Sequence, residues 1–143
     1  MITAWHRSDE VSRRLDDIPG VGPALATALV ASIADPKAFR SGRDFSAWIG
    51  IVPKQYSSGG KDRLGTISKR GDRYLRGLFV AGALAVIRYA KIHGTTSRPW
   101  LTALLARRPT KVAAIALANK IARMAWAMMV RGESYREPAA LAA

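Results

Sequence analysis

Residues 72–94 read Asp-Arg-Tyr-Leu-Arg-Gly-Leu-Phe-Val-Ala-Gly-Ala-Leu-Ala-Val-Ile-Arg-Tyr-Ala-Lys-Ile-His-Gly, and this stretch decides the fold class. Its apolar positions recur at helical steps of three and four over about 20 residues, and glycine ends the pattern. The spacing predicts a long central helix. The positions that form the apolar stripe are Leu75, Leu78, Phe79, Gly82, Val86 and Tyr89.

Shorter helices are predicted upstream of this central helix. Ser8-Asp9-Glu10 is typical of a helix start, and that helix runs to about Asp17. A second follows Pro23 as far as Ile33, another helix or helical turn begins at Asp35-Pro36, and a third covers 41–49. All of these predictions favour helix over strand.

Two further helices are predicted downstream. The first begins at 97–99 and carries Trp100, and the second follows Pro109-Thr110. We expect Trp48, Trp100 and Trp126 to lie in the core rather than to stack on bases. The apolar stripe predicted for the last helix comprises Val112, Ile115, Ala116, Asn119, Ala122, Trp126 and Met129. The sequence therefore predicts an all-α fold, a compact helical domain.

Composition narrows the partner class. The chain has 143 residues, 23 Lys and Arg against 10 Asp and Glu, a net charge of +13 and no cysteine. Such an excess of positive charge attracts polyanions, and nucleic acid is the expected partner; acidic proteins and anionic lipid are the alternatives. No uncharged run reaches the roughly 20 residues of a membrane span, so we expect no membrane partner and a bacterial cytoplasmic location.

The first motif is Ile18-Pro-Gly-Val-Gly-Pro-Ala-Leu-Ala26, a glycine-rich turn between two short helices. It resembles the helix-hairpin-helix motif of non-specific DNA-binding proteins, whose turn leaves backbone N–H groups free to hold a phosphate. A Cβ on Gly20 or Gly22 would obstruct the approach of the phosphate. The alternative is an ordinary connection between two helices. If the motif binds DNA, the contacts come from Gly20, Val21 and Gly22.

The second motif is a Ser/Gly-rich basic loop at 52–71, with room for a small hairpin through Leu64 to Ile67. Two adjacent hydroxyls, Ser57 and Ser58, lie among many Lys and Arg residues. A serine attacks a phosphodiester only where cations offset the charge on the phosphoryl oxygens and a base takes its proton. The cations are present, whereas His6 and His93 are distant in sequence, so no Ser/His/Asp arrangement is assigned. A passive phosphate-binding loop stays open as an alternative.

Three blocks in order carry a resemblance to a known family. They are residues 18–22, Trp48-Ile-Gly-Ile-Val-Pro-Lys-Gln-Tyr-Ser-Ser-Gly-Gly-Lys61, and Leu64-Gly-Thr-Ile-Ser-Lys-Arg-Gly-Asp-Arg-Tyr-Leu-Arg76. Together they resemble the C-terminal transposase domain of the DEDD-type bacterial insertion-sequence transposases, which are related to Piv-type DNA invertases. The resemblance covers about Asp16 to Arg131.

The resemblance implies a mechanism. Members of that family pair an N-terminal RuvC-like domain, whose acids bind Mg²⁺, with a helical domain that supplies a catalytic serine, and some are guided by a bridge RNA. Carried onto this chain, the nucleophile is Ser57, with Ser58 as second choice. The residues then expected to contact DNA or RNA phosphates are Gly20, Val21, Gly22, Lys54, Gln55, Lys61, Arg63, Ser68, Lys69, Arg70, Arg73 and Arg76.

The chain also departs from that family. No RuvC-like domain precedes Ile18, and its acids show no metal-binding spacing, so we expect no metal or cofactor here and Mg²⁺ in the absent domain. The predicted division is a lead-in at 1–17, the transposase domain at 18–132 and a frayed tail at 133–143. We expect this chain alone to be inactive and the full protein to be a DNA-binding homo-oligomer. The alternatives are a non-catalytic nucleic-acid-binding module and an oligomerisation domain.

Overall fold

The computed structural model describes residues 6–51, 53–58, 61–67, 72–94, 99–107 and 109–136. Helical residues 6–8 lead into the first full helix. The helices are α1 (Glu10–Asp16), α2 (Pro23–Ser32), α3 (Gly42–Ile49), α4 (Arg73–His93), α5 (Pro99–Arg107) and α6 (Thr110–Arg131), with a 3₁₀ turn at Pro36–Ala38. A two-stranded antiparallel hairpin, β1 (Pro53–Ser58) and β2 (Lys61–Ile67), separates α3 from α4. The all-α prediction is confirmed, with this hairpin added between helices.

Polar residues start the helices where the sequence predicts them. Asp9 caps α1 by accepting from the Ser12 N–H, at 2.8 Å. Ser41 caps α3, and the Asp72 carboxylate caps α4 by accepting from the Leu75 N–H at 3.0 Å. Each cap satisfies a backbone donor that the first helical turn leaves unpaired. These caps fix where α1, α3 and α4 begin.

The core lies where α4 and α6 pack together. α3 packs on α6, α1 packs on α2, and α2 also contacts α4. Leu15, Ile18 and Leu29 from the N-terminal part share one buried cluster with Phe79 of α4 and Ile121 of α6. The turn between α1 and α2 is therefore anchored to the two longest helices.

The stripe predicted for α6 was wrong. Val112 is 46% exposed and Asn119 only half-buried, although Ala122 is buried as expected. Small side chains let two helices approach closely, and the alanine-rich face is the one that packs against α4. Most other members of the predicted stripe are half-buried, and Trp126 and Met129 pack against the core from its margin. The buried face consists of Ala113, Ala114, Leu117, Ala118, Ile121, Ala122, Ala125 and Met128.

The predicted burial of the tryptophans and of the apolar stripe of α4 is correct only in part. Trp100 is buried as predicted, and Trp126 is half-buried with its indole N–H donating to the Pro36 carbonyl at 2.8 Å. Trp48 is 41% exposed, its ring centroid 5.5 Å from that of Phe39. Tyr89, expected on the apolar stripe of α4, is exposed as well. Exposed aromatic residues that pack on their neighbours can occur at the same helical spacing as buried ones. The sequence pattern therefore could not distinguish the two.

α6 is the one helix in the described part of the chain long and apolar enough to cross a membrane, judged by length and composition. Of its most apolar stretch, 44% is buried inside the molecule. That burial is typical of the core helix of a globular protein, and core helices pass the same test.

Candidate nucleic-acid interface

The turn between α1 and α2 is built from short backbone hydrogen bonds. The Val21 N–H donates to the Ile18 carbonyl at 2.9 Å, and the Ala26 N–H donates to the Gly22 carbonyl at the same distance. Gly22 is the N-cap of α2 and Pro23 its first residue, and no side chain caps this end. Since proline has no N–H, the first amides of this helix end belong to the two residues after Pro23.

Gly20 and Gly22 differ in what the structure requires of them. Gly20 has a φ of +94°, and a Cβ there would lie 3.0 Å from Cδ1 of Ile121 and 3.1 Å from the Gly82 carbonyl oxygen. Its role is therefore a left-handed turn packed against α4 and α6. Gly22 has no heavy atom within 4 Å of an added Cβ. The expectation that glycine allows close approach of a phosphate fits Gly22 and does not fit Gly20.

The side chain of Val21 is buried in the core, and its backbone N–H already donates to the Ile18 carbonyl. Below it, the turn packs on α4 so tightly that a Cβ at Gly82 would overlap the Gly20 carbonyl oxygen. The turn is held rigidly by this glycine-to-glycine contact, which sequence reasoning missed. A glycine on the apolar stripe of a helix is the signal that could have found it.

A groove runs between the turn and α4. It has a volume of about 530 Å³, and its walls include Leu78, Ala81 and Ala85 of α4. Two carboxylate residues, Asp16 and Asp17, lie on its other side. We call it the turn groove. Acids on its wall disfavour a phosphate inside it. Gly22, which is exposed, also lines this groove.

The segment expected to be a loop forms the hairpin. Ser57 pairs with Asp62 and Ser58 with Lys61, so both candidate nucleophiles occupy strand positions beside the connection at 59–60. The predicted hairpin at 64–67 was too short, because β1 extends over Pro53–Ser58. The Gly59-Gly60 dipeptide between the two runs was the sequence signal for it.

The remaining hairpin candidates have defined register positions. Gln55 pairs with Leu64 and Tyr56 with Arg63, and the register is irregular between Pro53 and Gln55, at Lys54. In this register Ser57 lies opposite Asp62, whereas Ser58 lies opposite Lys61. The backbone thus assigns the two serines different neighbours.

The start of α4 brings further predicted cations close to the hairpin in sequence. Arg73 is exposed in the first turn of the helix, and Arg76 is half-buried one turn on. Five residue steps join Ile67 to Asp72, and a chain of that length spans at most about 18 Å. The base of the hairpin therefore lies within that distance of the helix start. Three other predicted phosphate contacts, Ser68, Lys69 and Arg70, lie outside the described residues.

A Ser/His/Asp arrangement that the sequence did not reveal lies elsewhere. His6 Nδ1 is 2.6 Å from the Ser12 hydroxyl, and His6 Nε2 is 3.4 Å from the Asp16 carboxylate. Ser12 is fully buried and His6 is 6% exposed. A nucleophile must reach its substrate, so this arrangement holds the N-terminal helices together and is not an active site.

Within the ranges that the structure describes, no three His, Cys, Asp or Glu residues come together in a way that could hold a metal ion. The described acids serve other purposes where their partners are seen, such as the caps at Asp9 and Asp72.

Comparison with known proteins identifies the family. Residues 12–98 match the model of the transposase IS116/IS110/IS902 family. A putative transposase y4pF/y4sB of Sinorhizobium fredii is 49% identical over 92% of this chain and 34% of its own length. A probable family 20 transposase of Pseudomonas aeruginosa is 50% identical over 94% of this chain and 40% of its own. The transposase for insertion sequence element IS1111A of Coxiella burnetii is 44% identical, and 37% of it is covered.

The chain thus spans between about a third and two fifths of the length of these relatives. The matched residues 12–98 include the turn, the hairpin and all of α4. A family model that covers more than half of the chain, together with relatives near half identical, leaves one assignment. The chain belongs to the IS116/IS110/IS902 transposase family.

Proposed function

We propose that this chain is the DNA-binding, catalytic-serine part of an insertion-sequence transposase, with Ser57 as the nucleophile. Its Oγ attacks a DNA phosphorus and forms a serine–phosphate ester, while the bond from phosphorus to one deoxyribose oxygen breaks. That oxygen leaves with a proton, and the serine proton passes to a base. The number of phosphate ester bonds is unchanged, so cleavage is reversible and rejoining needs no added energy source.

The observation that carries this proposal is the hairpin register within the family-matched segment. Ser57 lies opposite Asp62, whereas Ser58 lies opposite Lys61. Directly opposed residues are neighbours across an antiparallel pair, so the register brings the backbone of Asp62 next to that of Ser57. Carboxylates act as proton acceptors in phosphoryl transfer. This favours Ser57 over Ser58 and makes Asp62 a candidate base, alongside groups supplied by a RuvC-like domain.

Positive charge supports the same site. The predicted phosphate contacts Lys54, Lys61 and Arg63 belong to the hairpin, and Arg73 and Arg76 begin α4. Cations at these positions offset the charge that develops on the phosphoryl oxygens. The N-terminus of α4 contributes less, because the Asp72 carboxylate lies there and already accepts from the Leu75 N–H.

The turn supplies the proposed second contact with DNA. What supports a helix-hairpin-helix here is the order of α1, a glycine turn and α2, and the lack of a side-chain cap on α2. A DNA phosphate at Gly22 would take the place of the missing cap. This contact would position the duplex and would read no sequence.

The rest of the proposal concerns the assembled protein. A RuvC-like domain with its Mg²⁺, a structured guide RNA and a second subunit complete the site, and this occurs in the bacterial cytoplasm. What supports it is the family membership and the resemblance of the motifs at 18–22, 48–61 and 64–76.

The test joins this chain to a matching RuvC-like partner with Mg²⁺, the element's RNA and labelled donor DNA. A covalent protein–DNA adduct is expected in the native protein, lost in Ser57→Ala and retained in Ser58→Ala. Asp62→Asn should slow adduct formation without preventing DNA binding. An adduct that survives Ser57→Ala and disappears in Ser58→Ala would move the nucleophile by one residue. DNA binding without any adduct in a competent assembly would contradict the catalytic proposal.

The second candidate is a nucleic-acid-binding module without catalysis, and the net charge of +13 favours it. Here the serines only donate hydrogen bonds to phosphate. Both functions predict that DNA affinity falls steeply with salt, with a log-log slope of about −0.9 for each phosphate neutralised. An oligomerisation domain would show little salt dependence in DNA binding. The covalent adduct distinguishes the catalytic domain from the binding module, because only the catalytic domain forms it.

A further inference from the structure

A second groove lies on the outer side of α6, away from the turn. It has a volume of about 570 Å³, and its walls include Gly42, Asn119, Lys120, Arg123 and Trp126. Arg123 follows the buried Ile121 by two positions, about 200° around the helix, so this outer groove and the turn lie on opposite sides of α6. The groove is therefore a different surface from the turn, which is one of the two contacts proposed above for DNA.

The charge of the outer groove is positive. α6 contains no Asp or Glu. Arg123 is exposed, and the Lys120 ammonium lies 4.5 Å from the centre of the Trp100 ring, which holds it at one side. The segment that packs on α6 at the other side adds three exposed cations, Lys37, Arg40 and Arg43, against two exposed acids, Asp35 and Asp44, so its net charge is also positive. Such a surface attracts a polyanion.

The groove also contains an unsatisfied acceptor. Asn119 Oδ1 is shielded from solvent and has no hydrogen-bond partner within the described part of the chain. A buried acceptor without a donor destabilises the protein, so such groups usually have a purpose. The χ2 angle of asparagine has a broad, soft preference, so a small rotation would turn this oxygen toward the groove.

Arg123 is fixed in place by its backbone. An added Cβ at Gly42 would lie 3.1 Å from Cβ and 3.2 Å from Cα of Arg123, so the start of α3 packs directly on this residue. The guanidinium group extends from an anchored base at the edge of the groove. Trp126 is fixed too, through its hydrogen bond to Pro36. The walls are therefore formed before any ligand binds, which limits the entropy cost of binding.

We propose that the outer groove binds a second nucleic-acid strand, with Arg123 and Lys120 on a phosphate and the Asn119 amide accepting from a base amino group or a ribose hydroxyl. The choice of polyanion rests on the proposed function, since an acidic protein would also attract the cations. The domain then holds two nucleic acids at once, one on each side of α6.

The experiment is a bridging assay with the 143-residue chain. A short DNA duplex is immobilised, the protein is added, and capture of a labelled single strand is measured, with RNA and DNA of one sequence in separate arms. Arg123→Ala keeps the Cβ that packs on Gly42 and removes the cation. We expect it to weaken capture several-fold and to lower the salt slope for the second strand by about one. Arg88→Ala, an exposed arginine of α4, is the matched control.

Further variants separate this inference from the proposed function. Gly22→Asp should weaken binding of the duplex and leave single-strand affinity in solution unchanged. Asn119→Leu should weaken capture while leaving the thermal midpoint unchanged or higher, because it removes an unpaired acceptor. Stronger capture by the RNA arm would assign the groove to RNA, and equal capture to the phosphate backbone alone; both support the site.

Three results would overturn the inference. The first is that the native protein binds the duplex and captures no second strand. The second is that Arg123→Ala captures as much strand as Arg88→Ala does. The third is that polyglutamate displaces the captured strand as well as nucleic acid of equal charge does. In each case the adduct assay with Ser57 still decides the proposed function by itself.

Discussion

The turn groove, which lies between the turn and α4, and the outer groove, which lies on α6, differ in charge and in how readily the sequence reveals them. Among the described residues that line the turn groove, the charged ones are Asp16 and Asp17, whereas those of the outer groove are Lys120 and Arg123. The turn has a motif that can be read in the sequence. The outer groove has no motif, and its residues come from segments far apart in the chain. The glycine-turn motif therefore indicates a helix end with free backbone N–H groups. It does not indicate where cations from distant parts of the chain come together.

The contrast extends to the glycines beneath each groove. Gly82 under the turn leaves no space for a Cβ, while Gly42 beside the outer groove leaves a distance of 3.1 Å to Arg123. The first contact is between two backbones and cannot adjust. The second includes the side chain of an exposed residue, where small shifts are possible. The turn side is thus the more rigid of the two.

The largest effect is expected for Gly82→Ala. The new methyl group would overlap the Gly20 carbonyl oxygen, so the turn must move away from α4. We expect the free energy of unfolding to fall by about 1–3 kcal/mol. Gly77→Ala is the control in the same helix, because a Cβ there meets nothing within 4 Å. It should raise the unfolding free energy by about 1 kcal/mol.

Denaturant unfolding of both variants measures this difference. If Gly82→Ala were as stable as Gly77→Ala, the turn would not be held by this contact and the rigidity of the turn side would be disproved. Gly42→Ala should cost less than Gly82→Ala, since its neighbour is partly side chain.

The wall of the outer groove is tested by Trp126→Phe. This change removes the hydrogen bond from the indole N–H to the Pro36 carbonyl and keeps most of the ring. We expect the free energy of unfolding to fall by about 0.5–1.5 kcal/mol. Trp48→Phe is the comparison, because Trp48 is largely exposed. Equal losses in the two variants, measured by thermal unfolding, would show that the Trp126 hydrogen bond adds no stability.

The sequence predicted the helices well and the packing faces less well. Caps such as Asp72 and breakers such as Gly94 act locally, so they can be read without knowing what the chain packs against. The buried face of α6 depends on the partner helix. There, alanines with 0% exposure such as Ala118 lie in the core, whereas Val112 lies outside it. A hydrophobicity scale ranks valine above alanine, so it predicts the opposite arrangement.

For the candidate site, residue types were predictable and geometry was not. The serines and cations of the hairpin were identified, but their strand register depends on pairing between β1 and β2. The cluster of His6, Ser12 and Asp16 was missed because it forms only when the N-terminal helical segments fold against each other. The outer groove was missed because the predicted stripe of α6 placed Asn119 and Trp126 in the core.

The acids of the turn groove give the third prediction. Two unit charges about 8 Å apart in water interact by about 0.5 kcal/mol, so removing one acid beside a bound phosphate should strengthen binding about two- to threefold. Asp17→Asn makes this change without disturbing Asp16, which contacts His6. Glu133→Gln changes the net charge equally, lies outside the turn groove and serves as control. DNA titrations at fixed low salt should show the gain for Asp17→Asn alone. An equal gain in both variants would mean that only net charge matters and that the turn is not a contact point.

The smallest effect on stability is expected at Gly22, and it is the most informative about the turn. Gly22→Ser would supply the side-chain cap that α2 lacks, with open space around the new Cβ. We expect the free energy of unfolding to rise by a few tenths of a kcal/mol, since serine is a slightly better cap than glycine. The same hydroxyl would occupy the N–H groups that a phosphate needs, so DNA affinity should fall as stability rises. Gly22→Ala adds the Cβ without the cap, and it separates obstruction of the backbone from competition for its N–H groups. If DNA binds Gly22→Ser and Gly22→Ala as well as it binds the native chain, phosphate does not bind at this helix end, and the outer groove becomes the stronger candidate for the first DNA contact.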